Sequence, residues 1–171
     1  MTHPLIDQFR FTRHEWLRAL DGVVEEDAKN HFGRMNCISW IVGHLAWHEQ
    51  RYWLTLAQDI ILYPQLNDQF QFGGPISTPS LAEMFEIWSA VATAADPFLD
   101  SLTTTSLQAD LQRFDALTYQ SIGSALRRIT YHYWFHMGEI LAIRQMLGQS
   151  DLPQFVGLIE AEAPYRPESF D

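Results

Sequence analysis

Apolar residues recur at steps of three and four along four long stretches of this chain, and no stretch shows the sustained alternation of a strand. The first predicted helix runs from roughly Leu5 to Leu20. Leu5, Phe9, Trp16, Leu17 and Leu20 share one side, and Asp21-Gly22 is its stop. The second spans roughly Asn36 to Gln58, with Asn36 suited to cap it and Gly43 as its internal glycine. The third opens at Thr78-Pro79-Ser80 and ends near Leu102. Ser80 with Glu83 fits a capping box there, and Thr78 before Pro79 is an equal alternative. The fourth runs from roughly Thr118 to Leu147, closed by Gly148 with Pro153 beyond.

The connections are long. Asp59 to Thr78 holds Pro64, Gly73, Gly74 and Pro75, and a loop of this size is often functional or lid-like. A polar link, Thr103 to Leu117, precedes the fourth helix. The tail from Leu152 to Asp171 carries Phe155, Val156, Leu158 and Ile159, which predict a short helix or a packed strap. The pattern therefore predicts an all-α fold: a four-helix bundle with long connections and a short C-terminal extension, one domain over residues 1–171. Connections of this length allow crossovers, so the up-down order stays open.

Composition narrows the function classes. With 47% hydrophobic and 13% aromatic residues, the 171-residue chain can bury a core. Lys+Arg total 11 against 21 Asp+Glu, a net charge of −10, and no basic run interrupts it, so nucleic acid is not an expected partner. Cys37 is the single cysteine and fits a reducing compartment. The N-terminus lacks an apolar signal core, and no window nears about 18 apolar residues, so no membrane partner is expected and the protein reads as cytoplasmic. Nucleophile and phosphate-loop motifs are absent. Cys37, at the start of the second helix, reads as a small buried hydrophobe rather than a ligand.

Candidate chemistry lies in the histidines. His3, His14 and His31 fall near termini or loops with nothing to pair with them. The other four form two i,i+4 doublets, His44/His48 in WIVGHLAWHEQRYW and His132/His136 in YHYWFHMGEILAIRQMLG. On the fourth helix the stripe Ile122, Leu126, Ile129, His132, His136, Ile140, Ile143 and Leu147 steps by three and four into the bundle. Ile41, His44, Leu45, His48 and Tyr52 do the same on the second. Buried imidazoles need partners and should not all be charged in one apolar space. A divalent cation held between the two helices meets both needs, and a polar core layer without metal is the rival reading.

The stretches WIVGHLAWHE and YHYWFHMGEILAIRQMLG, with the helical layout around them, resemble the DinB-like superfamily of bundle proteins, which includes thiol-dependent transferases. The resemblance implies one metal-ligating histidine from the second helix and an HxxxH pair from the fourth: His44, His132 and His136. It implies Zn or Ni before Fe or Mn, a small-molecule substrate that includes a low-molecular-weight thiol, and a transferase or hydrolase activity. His48 stands outside that triad as a fourth ligand, a supporting group or a proton carrier. Where the family often carries Arg-Gly-Gln after the second histidine, this chain has Met137-Gly138-Glu139. Glu139, three residues after His136, is a candidate to orient a ligand or act as a base, set against an exposed or salt-bridged role; Glu49 is a weaker candidate.

Three nitrogens would leave open positions on the ion, as in catalytic rather than structural sites. The alternative is a metal-binding or structural bundle without turnover, its site closed by His48. Around the histidines, Tyr131, Tyr133, Trp134 and Phe135 make the fourth helix apolar on nearly every side. The tail, a second subunit in a homodimer, or a pocket wall would cover it. Trp40, Trp47 and Trp53 are candidates to line the same cavity.

Overall fold

The computed structural model describes residues 2–111 and 120–167. Residues 112–119, which hold the predicted start of the fourth helix at Thr118, and residues 168–171 of the tail lie outside the described residues. Among the described residues the fold is all-α apart from one two-stranded ladder. Its long helices are α1 (Pro4–Leu20), α2 (Ile38–Glu49), α4 (Leu81–Asp100) and α6 (Ile122–Met146), and short helices α3 (Leu66–Gln69), α5 (Thr104–Leu107) and α7 (Ile159–Glu162) lie between or beyond them. Strands β1 (Asp110–Leu111) and β2 (Gln120–Ser121) pair antiparallel before α6.

The caps follow ordinary chemistry, with corrections. His3 caps α1 by accepting from the Leu5 N–H, Ser80 caps α4 from Glu83, and Ser121 caps α6 from Ser124. Asn36 does not cap α2; Cys37 holds that place without a side-chain bond. Gly22 and Gly148 take φ of +75° and +83° just past α1 and α6, where a residue with a Cβ would be strained. The predicted second helix is two things. After Glu49 it widens into a π-helical stretch, Gln50–Leu56, the type of irregularity often found at functional sites. Buried Gln50 donates to the Tyr63 carbonyl and accepts from the Leu62 and Tyr63 N–H groups, tying the following loop to this stretch.

Side-chain pairs settle the order of the helices. Arg10 meets Asp100 and Arg13 meets Asp96, so α4 runs against α1. Arg13 meets Glu49 and Phe9 meets Trp53, so α2 also runs against α1. Trp134 bonds Thr12 and Arg144 bonds the Ala19 carbonyl, so α6 runs along α1. Gly43 lies against Met84 and Trp53 against Phe98, so α2 and α4 are parallel neighbours. The arrangement is up-down-down-up. A parallel pair obliges the chain to travel back along the molecule, which is why residues 57–80 are so long. Short α3 sits on that return path. It approaches α2 closely because residue 43 is glycine: a Cβ there would stand 2.7 Å from the Phe70 ring.

One apolar cluster joins all four long helices. Phe9, Trp16, Trp53 and Tyr133 meet edge to face within it. Trp53 is thus a core residue on Phe9 and Phe98, not a wall beside the histidines. Leu17, expected inside, is half out, and Ile6 and Ala19 take the inner face. Around α6, Tyr133 is fully buried, while Tyr131 and Phe135 are 67% and 62% exposed, so the helix is not covered on every side. The tail does cover Trp134, whose ring meets Phe155 edge-on. No helix of the described residues is long and apolar enough to cross a membrane.

Candidate metal centre

Antiparallel packing of α2 on α6 brings the two doublets face to face. His44 lies level with His136 and His48 level with His132, with ring centroids 5.1 and 4.2 Å apart. His132 Nε2 is 3.3 Å from His44 Nε2 and 2.9 Å from His136 Nε2. One ring nitrogen from each of His44, His132 and His136 falls within 4.8 Å of the others, the only such group of three or more metal-competent side chains among the described residues. Trp40 and Trp47 stack on His44 at 5.1 and 5.4 Å, and the exposed Phe135 ring stands 5.1 Å from that of His136.

Two rings are oriented from behind. His44 Nδ1 lies 2.6 Å from the Phe70 carbonyl oxygen, and His136 Nδ1 lies 2.6 Å from Glu139 Oε2. Each acceptor assigns the proton to Nδ1 and leaves the Nε2 lone pair facing inward, the tautomer a metal ligand needs. Glu139 is therefore partnered, its half-buried carboxylate set against the His136 ring. The Phe70 carbonyl is supplied by the long connector, which earns that segment its place. Side-chain bonds pin it further: Trp47 Nε1 donates to Asn67 and Trp40 Nε1 donates to the Pro75 carbonyl.

The cluster is unsatisfied without a cation. With Nδ1 of His44 and His136 protonated, both inward lone pairs face His132 Nε2. One proton there can bridge to one of them and not to the other. His132 Nδ1 and His48 Nδ1 are buried with no hydrogen-bond partner. Burial, reinforced by neighbouring imidazoles, pushes His44 down to about 4 and His132 down to about 3, and holds His48 well below its ordinary range. His44, His48 and His132 are thus neutral near pH 7, and protons do not compete for their lone pairs. Nitrogens about 2.0–2.1 Å from a tetrahedral ion stand about 3.3 Å from one another, close to the 3.3 and 2.9 Å that separate His132 Nε2 from His44 Nε2 and His136 Nε2. The donor set fits a borderline divalent cation.

His48 is buried one turn beyond His44, against Tyr52 at 4.8 Å, and stays outside the converging trio. Cys37 is buried near Ser39 and the Ser77 carbonyl, away from the cluster. The remaining histidines correct the expectation that nothing pairs with them. His14 lies within α1 and pairs with Glu162 of α7, His3 caps α1, and His31 pairs with the Met35 carbonyl.

A second polar layer, unforeseen from sequence, lies one residue away on both helices. Glu49 is fully buried and receives two bonds from Arg13 and one from the Tyr133 hydroxyl. The Tyr133 oxygen in turn accepts from Trp88 Nε1 at 2.6 Å. Burial, then the Glu49 charge, hold the Tyr133 hydroxyl well above its ordinary range, so it stays a neutral donor. One network thereby ties α1, α2, α4 and α6 at the level of the histidines. The signal available in sequence was a charge at Arg13 and Glu49 within largely apolar helical faces.

An all-α molecule with three imidazole nitrogens converging from two antiparallel helices is a metal-competent helical scaffold. The family model of the DinB superfamily matches residues 8–140, which take in both doublets, and the chain belongs to this superfamily, a metal-binding family. A search of curated proteins finds no match.

Proposed function

We propose that the protein is a divalent-metal-dependent enzyme, a small-thiol transferase or a hydrolase, in which His44, His132 and His136 hold the ion. The observation that carries this reading is the set of inward Nε2 atoms within 4.8 Å, two of them fixed by Phe70 and Glu139. When bound, a Zn²⁺ or Ni²⁺ ion with three protein nitrogens has room for a thiol or water and lowers its pKa. The chain's own residues do the rest. Glu139 keeps the His136 lone pair directed inward. Trp40 and Trp47 shield His44 from water on two sides. His48, neutral and outside the trio, stands with its ring 4.2 Å from that of His132 as the candidate proton carrier beside the centre. His48 standing apart from the trio supports an open site over a closed, non-catalytic one.

The test is turnover. Full-length protein loaded with Zn²⁺ or Ni²⁺ is incubated with a small thiol and an electrophile such as an epoxide, and loss of free thiol is followed. The expected result is metal-dependent thiol consumption that His48→Ala slows and His132→Ala abolishes. Stoichiometric metal uptake with no thiol consumption and no ester or amide hydrolysis would leave only the binding role.

A further inference from the structure

Two sides of α6 are occupied. The tail lies on one, with Phe155 against Trp134, and the histidine cluster fills another. Between them runs a stripe open to water. Tyr131, Phe135, Gly138 and Ala142 follow at steps of four, three and four, and so form one column along the helix. Tyr131 and Phe135 are exposed, Ala142 is half-buried, and nothing beyond the helix's own backbone lies within 4 Å of where a Cβ on Gly138 would stand. Among the described residues, α1 and α4 each expose one large apolar side chain, Leu17 and Phe85, whereas α6 exposes Tyr131, Phe135 and Met146.

The order of sizes in this column selects its occupant. Two aromatic rings are followed by two small residues. Laid antiparallel on a second copy, one register seats both rings at once: Tyr131 over Ala142 of the partner subunit, and Phe135 over Gly138 of the partner subunit. Two-fold symmetry repeats each contact, as a self-complementary interface requires. A parallel pair would set ring against ring. Charge points the same way. At a net −10, two copies repel over most of their surface. Glu139, the only carboxylate of α6, is held on His136, so the stripe carries none. Arg127 and Arg128 flank its start, and Gln145 and Met146 its end. Antiparallel overlap lays the arginine end of one copy on the neutral end of the other, and it keeps the two arginine pairs about 25 Å apart, beyond a screening length of about 8–10 Å.

We propose that the outward face of α6 is the interface of a two-fold symmetric homodimer, its helices antiparallel and its axis passing between Phe135 and Gly138. This goes beyond the metal reading above and does not depend on it. The overlapping helices, residues 127–146 of each copy, bury on the order of 1,000 Å² in total, short of the about 1,600 Å² of a standard interface. The dimer is therefore weak and dissociates in the micromolar range.

Sedimentation equilibrium of the full-length protein over about 1–200 μM, a range that brackets such an affinity, is the test. The mass of wild type is expected to rise from one chain toward two across the series. Gly138→Leu fills the seat of the Phe135 ring and should weaken association at least about tenfold. On a single chain its side chain enters open space and replaces a glycine inside a helix, so its Tm under dilute conditions should equal or exceed that of wild type. That keeps a lost interface distinct from a damaged fold. Phe135→Glu should be monomeric throughout the series. Phe72→Glu, which changes the 91% exposed ring of the connector, should associate as wild type does. A wild type that stays monomeric at the highest concentration would overturn the interface. So would association that survives Gly138→Leu or Phe135→Glu, or association that Phe72→Glu abolishes.

Discussion

Two buried polar layers sit side by side in this molecule, offset by a single residue on each helix. His48 adjoins Glu49, and His132 adjoins Tyr133, yet the layers are opposite in character. In the Arg13–Glu49–Tyr133–Trp88 layer every strong donor meets an acceptor, and Glu49 is sealed from water. In the histidine layer, lone pairs confront one another and two buried nitrogens have no partner. A satisfied network fixes register; converging lone pairs at the same depth are a donor set that fits a cation. The first layer sets the relative height of α2 and α6, and that height makes the second layer converge.

The largest effect should come from breaking the closed layer. Glu49→Ala takes from the buried Arg13 guanidinium two of its three hydrogen bonds, leaving it only the half-exposed Asp96, and should cost about 3 kcal/mol in denaturant unfolding. Replacing Arg13 by Met and Glu49 by Leu together should recover most of that loss, because no buried charge remains. A double variant as unstable as the single one would mean that the layer is more than an ion pair.

Next comes the open layer. Zn²⁺ at about 100 times its dissociation constant should add about 2.7 kcal/mol to wild-type stability, and chelator should remove it. His132→Ala should abolish that metal-dependent shift in Tm. A purely structural histidine layer predicts instead no response to metal, and unchanged or improved stability on His132→Leu.

Tyr133→Phe deletes one hydrogen bond to the buried Glu49 carboxylate and leaves Trp88 Nε1 without its acceptor. It should cost about 1.5–3 kcal/mol while metal affinity stays near wild type. The smallest change is Glu139→Gln. It weakens the acceptor behind His136 Nδ1 and should lower metal affinity about tenfold with little change in apo stability. Together the two variants separate the layers: one moves stability alone, the other affinity alone.

Much of this was legible in the chain, and the reasons are specific. The i,i+4 doublets and the apolar stripe through Ile129, His132, His136 and Ile140 reported which face of α6 points inward, since helical period is local. Ser80 and Gly148 marked helix ends because capping chemistry is also local. The Phe70 carbonyl behind His44 could not be read, because any backbone oxygen carries the same chemistry and only the docking of α3 at Gly43 puts that one in place. Nor could the parallel pairing of α2 with α4, which depends on how residues 57–80 return. In sequence Tyr133 reads as one more aromatic around the fourth helix; its hydroxyl finds Glu49 only once α2 and α6 are set against each other. The π-helical stretch after Glu49 has no periodic signature in so short a run.

The central claim is that three imidazoles from two helices share one ion. Metal-stripped full-length protein, titrated with Zn²⁺ in a calorimeter beside the His132→Ala/His136→Ala double variant, tests it most directly. One ion bound per wild-type chain and none per variant chain is the predicted result. No stoichiometric uptake by wild type, or equal uptake by both, would contradict it.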